Sequence, residues 1–110
     1  INLNSKDIEK KTKATSYAVD EIEIIKAEGY LESYQDKGIN QKDIISEEDI
    51  NDENGQFTGY HKEISIKDYV LIKNDQTKQA NIVKEITVEI SYMNRKGTQN
   101  VQISTYVTKE

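Results

Sequence analysis

Cysteine, proline and tryptophan are absent from this 110-residue chain, and histidine and phenylalanine each occur once. Without cysteine there are no disulfides and no thiolate metal sites, and the redox compartment is left open. A lone histidine, His61, means that a metal site would have to rest on carboxylates and that any nucleophile–base pair would need this one imidazole. His61 falls off the apolar face of its segment and reads as a surface residue. Long apolar runs are missing as well, the longest being Tyr69–Ile72, far short of a membrane span. There is no glycine-rich phosphate loop, no serine-centred elbow and no internal repeat. Basic charge is scarce: the net charge is −5, which argues against a general nucleic-acid binder. No catalytic constellation emerges, no cofactor or metal is implied, and a non-enzymatic role is expected.

The residues present suit one small domain spanning 1–110. Leucine, isoleucine, valine and phenylalanine total 26, of which 16 are isoleucine, above the level of a disordered chain. Mean hydropathy is nonetheless −0.82 and 32% of residues are charged, so a thin core under a wet surface is expected rather than a deep cleft. The seven tyrosines either seal such a core with their hydroxyls wet or form an exposed binding patch.

Residues 1–34 read as a long helix. Advancing 100° per residue gathers Ile8, Thr12, Thr15, Ala18, Val19, Ile22 and Ile25 into one stripe, which Gly29 and Tyr30 extend. A second stripe of Tyr17, Ile24, Ala27 and Leu31 exists only in the later half. The later half should therefore be sandwiched between neighbours while the first half protrudes. Small and hydroxylated residues at Thr12, Ala14 and Thr15 suit close helix–helix approach. Charge is also inverted for a free helix: residues 1–13 carry net +2 and residues 14–36 net −5. The helix dipole favours the opposite order, unless the native helix begins upstream.

Residues 35–56 read as a polar loop region with scattered isoleucines. Asp49, Asn51, Glu53 and Gly55 faintly suggest a calcium loop, but the sixth and twelfth positions hold Asn54 and Tyr60 instead of glycine and glutamate. An Asn-Gly turn leading into a strand is the better reading.

Residues 57–110 read as an antiparallel sheet. Phe57–Ile66 alternates, with Tyr60, Lys62, Ile64 and Ile66 on one face, and Asp68–Asn74 is either its continuation or a separate edge strand. In Ile82–Met93 the apolar face is even-numbered (Ile86, Val88, Ile90, Tyr92), and in Asn100–Thr108 it is odd-numbered (Val101, Ile103, Thr105, Val107). Cross-strand partners share a face, so paired numbers must sum to an odd value and the loop must hold an even number of residues. The loop Asn94–Gly97 satisfies this and pairs Ile90 with Val101, Val88 with Ile103 and Ile86 with Thr105. The long helix is the one apolar surface large enough to cover the resulting dry face. The fold expected is α+β, a long N-terminal α-helix packed on a three- to four-stranded antiparallel β-sheet.

The closing stretch "ITVEISYMNRKGTQNVQISTYVTK", following a long helix and a polar loop region, resembles the soluble part of type IV pilins, and more closely the minor pilins and type II secretion pseudopilins. Ile86, Val88, Ile90, Tyr92, Gly97, Val101, Ile103, Thr105 and Val107 stand where that group places an alternating strand, a glycine turn and a second strand with a Thr-x-Val close. The family's apolar N-terminal segment, with its processing site and early glutamate, is not in this sequence. The resemblance implies about 25 to 30 further apolar residues upstream of Ile1, enough to span a bilayer. It implies a filament subunit at the cell surface, membrane-anchored before assembly. Its partners would be other pilin subunits and the assembly machinery, and its role adhesion, twitching, secretion or DNA uptake. Ile8, Thr12, Thr15 and Val19 would meet neighbouring helices, whereas Ile22, Ile25 and Tyr30 would pack on Ile86, Val88, Ile90, Val101 and Ile103. The competing expectation is a stand-alone extracellular α+β binding or adhesion module.

Overall fold

The computed structural model describes residues 3–29, 41–71 and 81–108. One helix, α1 (Leu3–Glu28), precedes four strands, β1 (Asp43–Asn51), β2 (Phe57–Leu71), β3 (Asn81–Asn94) and β4 (Gly97–Thr108). The strands pair antiparallel in the order β1-β2-β3-β4, and α1 covers one face of the sheet: an α+β arrangement of one helix on a four-stranded sheet.

α1 stops sooner than its apolar stripe suggests. Gly29 takes φ of +77°, a left-handed conformation that terminates helices and that glycine adopts without steric cost. Residues 30–34, Tyr30 among them, lie outside the described residues. The buried stripe is also rotated from the expected one. Ala14, Ala18, Ile22 and Ile25 face the sheet and are buried, with Ala14 and Ala18 at 0% exposure. The small side chains thus serve a close helix–sheet approach.

Two further expectations fail. The later half of α1 is not sandwiched on two sides, since Ile24 and Ala27 are exposed and Tyr17 packs on the same core as the main stripe. Nor does the whole first half protrude. The Lys10 ammonium donates to the Met93 carbonyl at 3.2 Å, and the Tyr60 hydroxyl donates to the Lys10 carbonyl at 3.4 Å. Cover of the sheet therefore begins at Lys10, and the part of α1 before it is Leu3–Glu9.

The β3–β4 hairpin has the register set by parity. Ile90 pairs with Val101, Val88 with Ile103 and Ile86 with Thr105. The turn is tighter than a four-residue loop, because Asn94 and Gly97 themselves pair and only Arg95-Lys96 stand between them. The count stays even, so the faces are unchanged. Gly97 takes φ of +113° and the Asn94 side chain accepts the Lys96 amide at 2.8 Å, which together close the turn.

Residues 35–56 are not simply a loop region, because 43–51 form β1. Its alternation is hidden by the register shift at Ile44/Ser46, where Ile45 is the extra residue, and by the acidic run Glu47-Glu48-Asp49. A bulge inserts a residue and breaks the period of two, so the isoleucines appear scattered although Ile45 and Ile50 pack against the core. Asp68-Tyr69-Val70-Leu71 continues β2 and forms no separate strand.

The core lies between α1 and the dry face, where Ile66, Ile86, Val88 and Ile90 are fully buried. Two cations sit on this face. Lys62 reaches Glu48 of β1 at 2.8 Å and Glu21 of α1 at 3.3 Å, and the buried Lys84 pairs with Asp68 at 3.1 Å. Burial opposes the charge on Lys62, but Glu48 and Glu21 more than offset it and hold the ammonium above its ordinary pKa.

Replacing Ala18 with leucine should force α1 away from β3 and β4. We expect a loss of about 1–3 kcal/mol in urea unfolding. Val19→Ala, on the exposed flank, should stay within about 0.5 kcal/mol of the parent.

Candidate functional site

Three surfaces carry groups that could act on something outside the domain. The first is the flank of α1. Ile8 and Val19 are exposed, at 63% and 42%, and Thr12 is exposed on the same flank. Thr15 is half-buried and its hydroxyl donates to the Lys11 carbonyl at 2.8 Å, so it is turned to its own helix. The residues assigned to the helix–sheet core are inward: Ile22, Ile25, Ile86, Val88 and Ile90 are buried, and Val101 and Ile103 are half-buried against them.

The second is a cleft at the start of the helix, which sequence reasoning missed. β2 pairs with β3 only as far as His61↔Ser91, whereas β3 runs on beside β4 to Asn94. Gly59 takes φ of +95° at an irregularity where Tyr60 pairs with Ile50 but Phe57 with Asn51. The two strands diverge there. The opening holds about 440 Å³ and is lined by Lys10, Phe57, Tyr60, His61, Tyr92 and Met93 among others. Phe57 and Met93 are well exposed, and the rings of Tyr17, Tyr60 and Tyr92 make tilted contacts with centroids 5.3 and 5.6 Å apart. The Lys13 ammonium lies 5.8 Å from the Tyr60 ring centre, within cation–π range. The signal that could have shown the cleft is Gly59 inside an alternating strand, a mark of a bulge.

The third is the open face of the sheet. One row across it reads Glu47, Glu63, Glu89, Gln102 and the next Asp49, His61, Ser91, Asn100. Like charges in directly opposed positions repel, and both ends of the acidic row have a partner. The Gln102 amide donates to Glu89, and His61 Nε2 lies 3.2 Å from Glu47. His61 Nδ1 lies 2.9 Å from Asp49, so both ring nitrogens meet carboxylates of β1. A neutral ring can donate through only one nitrogen, whereas the imidazolium donates through both. The hydrogen bond to Asp49 pulls the His61 pKa upward. Burial opposes it, and Glu47 adds to the rise, so the net shift is upward.

The tyrosines divide between both roles. Tyr60 and Tyr92 are buried, whereas Tyr106 is exposed and donates to Glu85 at 2.6 Å, with Tyr69 reaching the same carboxylate at 3.4 Å. Tyr34, like Tyr30, lies outside the described residues. The faint calcium pattern comes to nothing in the geometry. Asp49 holds His61, and the Asp52 carboxylate accepts the Asn54 and Gln56 amides at 2.9 Å each, closing a turn on itself. Among the described residues no group of histidine and carboxylate side chains is placed to hold a metal ion, and no helix is long and apolar enough to cross a membrane. Comparisons with known protein families, curated proteins and solved structures find no match.

The His61 clasp ties β1 to β2 in a pH-dependent way. Its folded pKa is raised, so its stabilisation is complete below the unfolded value of about 6.5 and is lost as pH rises through the folded pKa. Amide exchange in β1 should accelerate between about pH 5.5 and about pH 8 beyond the intrinsic base catalysis. The effect should stay under about 1 kcal/mol, because the pair is exposed. His61→Gln should remove that excess; a parent profile identical to the variant's would refute the clasp.

Proposed function

We propose that the chain is the soluble domain of a filament subunit of the type IV pilin-like kind, a minor pilin or pseudopilin, displayed at the cell surface. The observation that carries the reading is α1 itself. Its inner stripe is used up by the sheet from Lys10 onward, yet Ile8, Thr12 and Val19 remain exposed on an adjacent flank. No acidic residue occupies its first turn, where a helix that began there would favour one. Both features fit a helix that continues upstream into an apolar segment and meets other helices along its flank. The helix-on-meander arrangement and the closing hairpin are consistent with the resemblance.

A second reading, an extracellular binding or adhesion module, is favoured by the apolar cleft around Phe57 and Met93. The native gene separates the two. The filament reading expects an apolar helix with a prepilin processing site directly upstream of Ile1; a conventional cleaved signal or an initiator near Ile1 would overturn it. In cells, Ile8→Glu with Val19→Glu should lower incorporation into filaments at least about tenfold. The isolated domain should keep its stability within about 0.5 kcal/mol, since both positions are exposed.

A further inference from the structure

The two edges of the sheet are built differently. β1 has a bulge at Ile45 and four acids, Asp43, Glu47, Glu48 and Asp49, among its nine residues. Bulges and charges of this kind are how a strand edge is kept from pairing with another chain. β4 has neither. Its 12 residues, GTQNVQISTYVT, include no charged side chain and no proline, and they pair with β3 without a register shift from Gly97 to Thr108. Among the described residues no element pairs with its outer edge. On the helix side, Val101, Ile103 and Val107 pack against the core yet are only half-buried. A straight, neutral edge about 40 Å long beside an unfinished apolar strip is an incomplete sheet.

We infer that β4 pairs antiparallel with the β4 of a second copy, across a two-fold axis, to make a continuous eight-stranded sheet. Charge selects this occupant. A β4–β4 pair puts no like charges opposite one another, whereas a β1–β1 pair would oppose acid to acid. A β1–β4 pair would need the bulged, nine-residue strand to match the regular, twelve-residue one. The two-fold pairing supplies up to about twelve inter-strand hydrogen bonds. It puts both helices on the same face of the joined sheet, so the half-buried Val101, Ile103 and Val107 of each copy gain a second apolar wall. It also ends growth. Both β4 edges are consumed, and the edges left at the ends of the joined sheet are the acidic, bulged β1 strands. The contact goes beyond the filament reading and does not depend on it, since it is argued from the β4 edge alone.

The test is the oligomeric state of the 110-residue chain by sedimentation velocity over a wide concentration range. A concentration-dependent dimer, with no larger species, is expected, together with slowed amide exchange in β4 as the dimer forms. The triple variant Gln102→Lys, Ser104→Lys, Tyr106→Lys puts like charges on the outer strand without touching the buried core. It should weaken the dimer at least about tenfold. Glu63→Lys, on the same open face but on β2, should leave it intact. Ser104→Lys alone gives a milder version of the same loss if the triple variant does not fold by circular dichroism. A chain that stays monomeric throughout would leave the edge to a strand of another protein and overturn the inference. So would a dimer insensitive to the β4 lysines, or growth past the dimer into fibres.

Discussion

Contact between α1 and the dry face of the sheet is the constraint on which the rest of the domain depends. Ala14 and Ala18 have no exposed surface, and their small side chains let the helix lie close over β3 and β4. Under it, Ile66, Ile86, Val88 and Ile90 are each removed from water, worth about 1.5–3 kcal/mol apiece. A four-stranded sheet with one bare apolar face would not persist alone, and neither would a helix whose apolar residues are so sparse. Each element supplies what the other lacks.

Charge is distributed to finish what packing leaves open. Lys62 lies on the dry face but bridges β1 and α1 through Glu48 and Glu21, at the border where the cover thins. Lys84 and Asp68 neutralise one another in a buried position. On the open face, an acidic row is held at its ends by His61 and Gln102, and Glu85 collects the hydroxyls of Tyr69 and Tyr106. The sheet is thus dry and tightly held on one side and a polar lattice on the other. The surfaces open to partners are the helix flank, the cleft and the neutral strand edge.

What was legible in the sequence is what period and parity record. The even and odd apolar faces of β3 and β4 determine the register completely, and the observed pairs Ile90↔Val101 and Val88↔Ile103 follow from them. β1 was hidden because a bulge at Ile45 breaks its alternation and three consecutive acids resemble a loop. The buried stripe of α1 was misplaced because alanine carries little weight on a helical wheel, although Ala14 and Ala18 mark the closest approach. The cleft depends on where two strands part, and that is set by backbone conformation at Gly59, which no hydrophobic pattern encodes. Ile8 and Val19 were grouped with the apolar stripe on the wheel, and their exposure follows from its rotation toward Ala14 and Ala18.

The fastening at Lys10 has a mechanical side. There the helix is held twice within one residue, by its ammonium on Met93 and by its carbonyl under Tyr60. These bonds tie α1 to both β3 and β2 at the first point where it touches the sheet. A pull along the helix from its N-terminus loads them in shear, together with the packed stripe behind them. It does not peel the helix off from one end. The domain is therefore arranged to bear tension applied at its N-terminal end as one body, and the link that yields first is the short stretch of about two turns of helix ahead of Lys10.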